Sequence, residues 1–333
     1  MRLLLCLLLF PTLSLAQPIV KDKALMQEII SYAKENSVNT KQVDWDELIP
    51  RAEALHADSG FIVASQLILR ELGDYHGRIW YNQMPYNGLT KNISSSSMAV
   101  DEQSMELYRW STAKVTSQLI GEDIGYIQVP GIGMSPNDGE RAHEINDMVM
   151  ELEQNNDIDG WILDLRMNGG GTMFPMLCGL QSFLGDEAFG SFIDLENDFK
   201  QEWKIVDNEL YIDTFMMSGY GIERVQNLSE KPVVVLISSL TASSGEVVAI
   251  AFKDRPNTTF IGEPTSGYTT TVSWRDMGND IYFQLTESWY ADRNEHIYKG
   301  DPVLPDIPME GGCALRDLEN DTWVLRALEI LAP

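Results

Sequence analysis

The stretch of residues 232–267 constrains the fold of this chain more than any other part of its sequence. It begins with the apolar run Val233 to Ile237, which predicts a buried strand. The small residues from Ser238 to Gly245 predict a tight turn, and those from Glu246 to Lys253 predict a helix. A buried strand that leads directly into a helix is typical of α/β proteins, so we expect that fold class.

Several hydroxyl side chains lie where this strand gives way to the helix. A serine at such a place lies beside unpaired backbone N–H groups, at the positive end of the helix dipole. These groups could stabilise an oxyanion, which makes the turn a candidate for nucleophilic catalysis. Serine and threonine are also favoured helix caps, so the stretch alone leaves a purely structural role open.

The composition limits the partners of the chain. Its 333 residues are 44% hydrophobic and 22% charged, which is typical of a globular protein. The formal net charge of -26 argues against nucleic acid and anionic membrane surfaces as partners, because both would repel the chain. The charge does not identify a substrate.

The first residues depart from this globular composition. Arg2 precedes the apolar run Leu3 to Phe10, and small residues at Ser14 and Ala16 suit cleavage after Ala16. We therefore predict a signal peptide over residues 1–16, followed by export to the periplasm or the exterior. The apolar run is too short to span a membrane, although an N-terminal anchor and a buried first strand are alternatives.

Two cysteines, Cys178 and Cys313, follow the predicted leader. In an exported protein they could form one disulfide, and two free thiols are an equal alternative. No CxxC motif or Cys/His cluster is present, so we expect no zinc site.

Histidine is rare in this chain, and one of its four copies has a distinctive setting. Apolar spacing predicts helices over residues 24–35, 45–55 and 61–72. His76 follows the last of them between glycines, so we expect an accessible turn. His56 and His143 lie in charged helical surroundings and are expected at the surface. His76 is thus the candidate base, with a structural role as the alternative.

A glycine-rich turn is the third candidate piece. The pattern predicts a strand over 124–129, a helix over 139–155, and a buried strand over 160–166. This last strand leads into Asn168 and three glycines, which allow backbone N–H groups to approach a ligand closely. The same turn could be a loose connection to the next helix. Further on, the pattern predicts a hairpin of residues 269–274 and 281–286 and a last helix over 315–331.

An activated serine, a histidine and a donor turn together indicate a hydrolase. The GxSxG motif is missing, so an α/β-hydrolase nucleophile elbow is not supported. The pieces resemble, in the same order, serine peptidases of the C-terminal processing and tricorn type. The matching motifs are LGDYHG at 72–77, GYI at 125–127, DLRMNGGG at 164–171, TASSGE at 241–246, GEPTSG at 262–267 and LPD at 304–306.

The resemblance implies roles for individual residues. Ser243, three residues before Glu246, would be the nucleophile. The backbone N–H of Ser244 would form the oxyanion hole with that of Gly170, or alternatively that of Gly169.

One branch of the family uses a Ser–Lys dyad, but Tyr268 stands where its lysine falls. The resemblance therefore favours the histidine-dependent, tricorn-like branch, with His76 as general base. Among the candidates for the carboxylate that completes the site, Glu287 ranks ahead of Asp292 and Glu295. Lys253, on the helix after the nucleophile, is expected to be a solvated surface charge.

The resemblance also implies the architecture and the reaction. The fold would be a ClpP/crotonase-like ββα superhelix over residues 121–333, with a helical N-terminal lobe at 17–80 and a connecting segment at 81–120. That segment is too short for a PDZ domain. The reaction would be hydrolysis of peptide or protein substrates through a serine acyl-enzyme, without a cofactor or metal. The alternatives are a non-catalytic, retinoid-binding-like protein on this scaffold and, against the evidence of the leader, an acyl-CoA enzyme.

Overall fold

The computed structural model of the protein describes residues 22–91, 98, 108, 114–194 and 198–332. The predicted signal peptide lies outside these residues. The chain divides into two compact units, one of Met1–Leu89 with Trp274–Gln284 and the other of Thr90–Ser273 with Leu285–Pro333. None of the helices in the described parts of either unit has the length and apolarity needed to cross a membrane.

The first unit is mainly helical, as the apolar spacing predicts. Its helices are α1 (Lys23–Asn36), α2 (Trp45–Ser59) and α3 (Phe61–Glu71). The side chain of Asp44 accepts hydrogen bonds from two backbone N–H groups in the first turn of α2 and so caps this helix. Strands β1 (Arg78–Tyr81) and β2 (Met84–Asn87) follow α3 and pair antiparallel.

One surface prediction in this unit is wrong. His56 is only 5% exposed, because it lies on the same face of α2 as the buried Leu48 and Ala52 at four-residue spacing. Neither ring nitrogen of His56 has a hydrogen-bond partner among the described residues. The charged neighbours of His56 in sequence lie on the other faces of the helix, which is why composition alone gave the wrong environment.

The second unit is a mixed α/β structure, so the predicted fold class is confirmed; the ClpP/crotonase-like superhelix stays a prediction. The helices of this unit pack against one central sheet. They are α4 (Asp138–Asn155), α5 (Phe174–Gly179), α6 (Gln181–Leu184), α7 (Ser244–Phe252) and α8 (Thr322–Leu331).

The strands of this unit lie between residues 116 and 308. They are β3 (Thr116–Ile120), β4 (Ile124–Gln128), β5 (Gly160–Asp164), β6 (Gly190–Asp194), β7 (Phe199–Val206), β8 (Glu209–Ile212), β9 (Phe215–Met216), β10 (Val233–Ile237), β11 (Thr258–Gly262), β12 (Thr270–Asp276), β13 (Ile281–Asp292) and β14 (Ile307–Pro308). Strand β12 ends in the first unit, and β13 begins there. In that unit β1 pairs antiparallel with Ile281 to Gln284 of β13.

The described strands of the central sheet follow the order β14-β11-β10-β5-β4-β3. β4, β5, β10 and β11 are parallel, and every residue of β10 is buried. Val233, Val235 and Ile237 pack in the core on the side of α4 and α7, whereas Val234 and Leu236 pack with α8. Because helices cover both faces, β10 reads as a continuous apolar run rather than an alternating one.

The antiparallel strands β6 to β9 pack on the core of this unit through Trp203, Leu210 and Ile212. The last helix begins at Thr322 rather than at residue 315. Asp321 caps it by accepting the N–H groups of Trp323 and Val324, so the preceding leucines lie in a turn-rich segment.

Candidate active site

Ser243 lies on the turn between β10 and α7. Its backbone has φ 53° and ψ -120°, a region that non-glycine residues rarely occupy. Such a conformation costs about 1–3 kcal/mol and persists only when surrounding contacts hold it. Helix α7 begins at Ser244, two residues before the predicted start, so Ser243 stands directly at the helix N-terminus.

Glu246 supplies the contacts that hold this turn. Its Oε2 accepts the N–H groups of Ser243 (2.9 Å) and Tyr268 (2.7 Å). Its Oε1 accepts the N–H of Gly267 (2.6 Å) and the hydroxyl of Thr265 (2.5 Å). The residue is 0% exposed. Burial raises the pKa of Glu246 to about 7, against the effect of these four donors, which favour its ionised form.

The glycine turn after β5 lies beside Ser243, because β5 and β10 are parallel neighbours. A Cβ added to Gly170 would lie 2.9 Å from the Ser243 Cβ and 2.8 Å from the Ala242 carbonyl oxygen. Gly170 also has φ 101°, so the close approach of the two turns requires glycine at this position. Its own N–H donates to the Asn168 side-chain oxygen at 3.0 Å.

Two other backbone N–H groups remain available near the nucleophile. Within the part of the chain that the structure describes, no acceptor is found for the N–H of Ser244 or of Gly169. The Ser244 hydroxyl donates to the Gly171 carbonyl at 2.8 Å, which ties the two turns together. Tyr108, which the sequence gave no reason to select, lies against the glycine turn: a Cβ on Gly169 would lie 2.8 Å from its hydroxyl oxygen.

His76 belongs to the first unit. The Asp74 side chain accepts the N–H of His76 at 3.0 Å and that of Gly77 at 2.6 Å, so Asp74 stabilises the turn that carries the histidine. The predicted accessibility of His76 is wrong, since the residue is 8% exposed. The structure joins Ser243, Ser244, Gly169 and Gly170 within the second unit, and the role of His76 as base stays a prediction.

The three candidate carboxylates have separate local partners. Glu287 is half-buried and accepts the Ser273 hydroxyl at 2.6 Å. Asp292 accepts the N–H groups of Asn294 and His296, both at 3.0 Å, and stabilises its own turn. Glu295 is exposed and pairs with Lys200 at 2.7 Å. Of the three, Asp292 and Glu295 thus have evident structural roles.

A buried ion-pair network is centred on Arg166, two residues before Asn168 of the glycine turn. Arg166 pairs with Asp164 at 2.6 Å and with Asp321 at 2.7 Å, and all three side chains are 0% exposed. Cys313 accepts a further bond from Arg166, and both Cys178 and Cys313 are free thiols. This resolves the choice between disulfide and free thiols in favour of the latter.

The expected surface charge of Lys253 is also corrected. Its side chain is 20% exposed and pairs with Asp306 at 3.1 Å. It lies over the ring of Phe260, with 4.6 Å between the ammonium nitrogen and the ring centroid, so it is a packed, partnered lysine rather than a solvated one.

Comparison with known proteins defines the class of this site. The model of Peptidase family S41 matches residues 123–309, which include the glycine turn, Ser243 and Glu246. The chain therefore belongs to peptidase family S41, a family of serine-type peptidases. The family resemblance predicted from its motifs is confirmed.

Two curated relatives illustrate the range of the family. The nisin-resistance protein of Lactococcus lactis is 32% identical over 171 residues, which are 51% of this chain and 52% of that protein. The carboxy-terminal processing protease CtpA of Bacillus subtilis is 27% identical over 197 residues, 59% of this chain and 37% of that protein. The match thus spans about half or less of each relative's length.

Solved structures share the fold. A lipoprotein from Streptococcus agalactiae superposes with a TM-score of 0.66 at 22% identity, covering 91% of this chain and 96% of that one. The photosystem II D1 C-terminal processing protease superposes with a TM-score of 0.55 at 16% identity, covering 86% and 92%. At these identities the likeness concerns the fold alone.

Proposed function

We propose that this protein is an exported serine endopeptidase in which Ser243 is the nucleophile. The observation that carries the proposal is the setting of Ser243. Its strained backbone presents it at the N-terminus of α7, beside the Ser244 N–H, which has no acceptor among the described residues. Such a site favours negative charge on an oxygen that develops during acyl transfer.

The reaction proceeds in two steps. The proposed base, His76, removes the Ser243 proton as the hydroxyl oxygen attacks the substrate carbonyl carbon. Collapse of the tetrahedral intermediate breaks the C–N bond, and the base returns the proton to the leaving amine. Water, deprotonated by the same base, then releases the acyl group from Ser243. The position of His76 in the LGDYHG motif supports its assignment.

The proposed oxyanion donors are Ser244 and a residue of the glycine turn. Gly170 was the first choice from the sequence and Gly169 the alternative. The N–H of Gly170 already donates to Asn168, whereas that of Gly169 has no acceptor in the described parts of the chain. We therefore place Gly169 ahead of Gly170 as the second donor.

Export and the substrate class complete the proposal. The apolar leader of residues 1–16 supports export, and family membership supports a peptide or protein substrate. One relative takes its name from resistance to nisin, and others from carboxy-terminal processing. These names suggest nisin and the C-terminal segments of proteins as the first substrates to assay.

Labelling with a fluorophosphonate probe, located by mass spectrometry, tests the nucleophile and the base together. We expect the probe on Ser243 of the wild type and none on Ser243→Ala. His76→Ala should label at least about 1,000-fold more slowly. Ser244→Ala retains its backbone N–H and should label within about tenfold of the wild type. An unlabelled Ser243 in folded protein would favour a non-catalytic binding protein instead.

The third member of the site needs its own test. We propose Glu287 as the carboxylate that completes it. If so, Glu287→Gln should slow labelling of Ser243 about tenfold or more, because the base loses the charge that stabilises its protonated form. Glu295→Gln is the control, since Glu295 is exposed and engaged with Lys200. Equal labelling rates for both variants would remove Glu287 from the site.

A further inference from the structure

The loop of residues 263–268, which follows β11, contacts the nucleophile turn at several points. The Ser266 N–H donates to the Thr241 carbonyl at 2.9 Å, and its hydroxyl donates to the Ser239 carbonyl at 2.7 Å. The next two N–H groups, those of Gly267 and Tyr268, donate to Glu246. Because Glu246 also accepts the N–H of Ser243, the loop and the nucleophile share one carboxylate.

A lysine holds the opposite side of this loop. The Lys91 ammonium group donates to the carbonyl oxygen of Gly267 at 2.5 Å and also to that of Gly300. It lies 5.7 Å from the centroid of the Tyr268 ring. Burial lowers the pKa of Lys91, and the nearby charges of Glu246 and Asp301 oppose that shift. All of these residues belong to the second unit.

Gly267 makes the close contact between lysine and loop possible. It has φ 75°, and a Cβ added to it would lie 2.5 Å from the Lys91 nitrogen and 2.8 Å from the Gly300 carbonyl oxygen. Its N–H points to Glu246 and its carbonyl to Lys91, so its backbone is held from both sides by charged groups. Charge-assisted bonds of this kind are stronger than bonds between neutral groups.

We propose that Lys91 is a positioning residue for the nucleophile: it fixes Gly267 and Gly300, and thereby the loop N–H groups that share Glu246 with Ser243. Two of its three donors go to carbonyl oxygens, so it acts as a donor and not as the base. The site thus contains a lysine, although Tyr268 occupies the position where the sequence pattern places the dyad lysine. This inference rests on the assignment of Ser243 as nucleophile.

The test replaces Lys91 with methionine, which keeps the apolar stem and removes the charge. Lys253→Met is the matched control, because Lys253 also donates to a backbone carbonyl oxygen, that of Leu304 at 3.4 Å, and is mostly buried. Amide hydrogen exchange of a peptide covering residues 263–269 should be at least about tenfold faster in Lys91→Met and unchanged in the control. Unchanged exchange in Lys91→Met would overturn the proposal whether or not the protein is active.

Fluorophosphonate labelling of Ser243 measures the consequence for the nucleophile. The maximal labelling rate of Lys91→Met should fall about 10- to 100-fold, because small displacements of reacting groups have effects of that size. The probe concentration at half-maximal rate should change little. Faster exchange together with wild-type labelling would also overturn the proposal, since the loop would then move without displacing Ser243.

The pH dependence and a rescue variant separate positioning from proton transfer. Labelling of Lys91→Met should be slowed by the same factor at every pH between about 5 and 9, because the proposed base is still present. Loss of one limb of the pH profile would contradict the positioning role.

Lys91→Arg keeps the charge and the donors, and should label at no less than about a third of the wild-type rate. If Lys91→Met does not fold, an Arg variant that folds yet labels 10- to 100-fold more slowly would overturn the proposal. Absence of labelling in the wild type would count against Ser243 as nucleophile, and the exchange result would still decide the role of Lys91.

Discussion

Two buried carboxylate clusters lie at the ends of neighbouring parallel strands and are stabilised in different ways. Asp164, at the end of β5, is paired with the Arg166 guanidinium. Glu246 lies in the first turn of α7, the helix that follows β10, and accepts four hydrogen bonds, from three backbone N–H groups and one hydroxyl. The Thr241 hydroxyl, which donates to the Leu165 carbonyl at 2.8 Å, links the two turns.

The difference separates a structural role from a functional one. Removing the charged partner of a buried carboxylate, here the Arg166 guanidinium 2.6 Å from Asp164, is strongly destabilising because it leaves an uncompensated buried group. A buried carboxylate held by neutral donors has its pKa raised, in this case to about 7, so its charge can change near neutral pH. The second kind of environment is typical of functional sites. Asp164 is thus held by a charged partner, whereas Glu246 is held by neutral donors only.

The largest expected effect comes from breaking the charged cluster. Arg166→Met leaves Asp164 and Asp321 buried without their cation, and should lower the free energy of unfolding by about 3–5 kcal/mol. Chemical denaturation measures this. Arg326→Met is the control, because its pair with Glu329 is exposed and should contribute less than about 1 kcal/mol. Equal losses in the two variants would mean that the buried network is no more important than a surface pair.

The second prediction concerns the pH dependence of stability through Glu246. Its carboxyl ionises near 4.5 when unfolded and near 7 when folded, so folding takes up a proton between these values. Its contribution to the free energy of unfolding therefore falls by about 1.4 kcal/mol per pH unit across this window, on the order of 3 kcal/mol in all. Glu246→Gln cannot ionise and should lack this component.

Denaturation of both proteins from pH 4 to pH 8 checks this expectation. The stability deficit of Glu246→Gln relative to the wild type should be largest at pH 4 and should shrink by on the order of 3 kcal/mol by pH 8. A deficit that stays constant, or grows as the pH rises, would show that the four donors keep Glu246 ionised. In that case the contrast between the two clusters would disappear.

The smallest expected effect comes from one neutral donor. Thr265→Val removes the hydroxyl that donates to Glu246 and also accepts the Val303 N–H at 2.8 Å. It should cost about 1–2 kcal/mol and move the Glu246 transition to higher pH, because a donor that favours the ionised form is lost. The control is Thr269→Val, because the Thr269 hydroxyl donates to the backbone carbonyl of Asp301 at 2.9 Å and not to Glu246; this variant should leave the transition in place.

The parts of the site that could be predicted from sequence are those encoded locally. The apolar run of β10, the small-residue turn and the helix that follows need no distant contact to be recognised. The Ser243–Glu246 spacing is also that of a capping box, in which a glutamate three residues on accepts the N–H of the capping residue. That spacing could have identified Glu246 as a partner of the nucleophile rather than only as a motif marker.

The parts that could not be predicted depend on contacts between distant segments. Lys91 and Gly267 are separated by 176 residues, and no local pattern marks their hydrogen bond. Tyr108 reaches the glycine turn from a polar stretch with no periodicity. The sequence predicts an exposed His56 because its sequence neighbours are charged, but those neighbours lie on other faces of α2. The sequence predicts too early a start for the last helix, because its cap, Asp321, is held by a contact with the distant Arg166.

The bond between Arg166 and Asp321 has a consequence for the order in which the chain becomes stable. The two residues are separated by 155 positions, and Arg166 lies beside the turn that faces the nucleophile strand. During synthesis from the N-terminus, β5 and the whole nucleophile turn leave the ribosome before Asp321 does. Until then Arg166 has only one of its two carboxylate partners, Asp164. The second unit therefore gains this buried ion pair only after Asp321 emerges, 155 positions after Arg166.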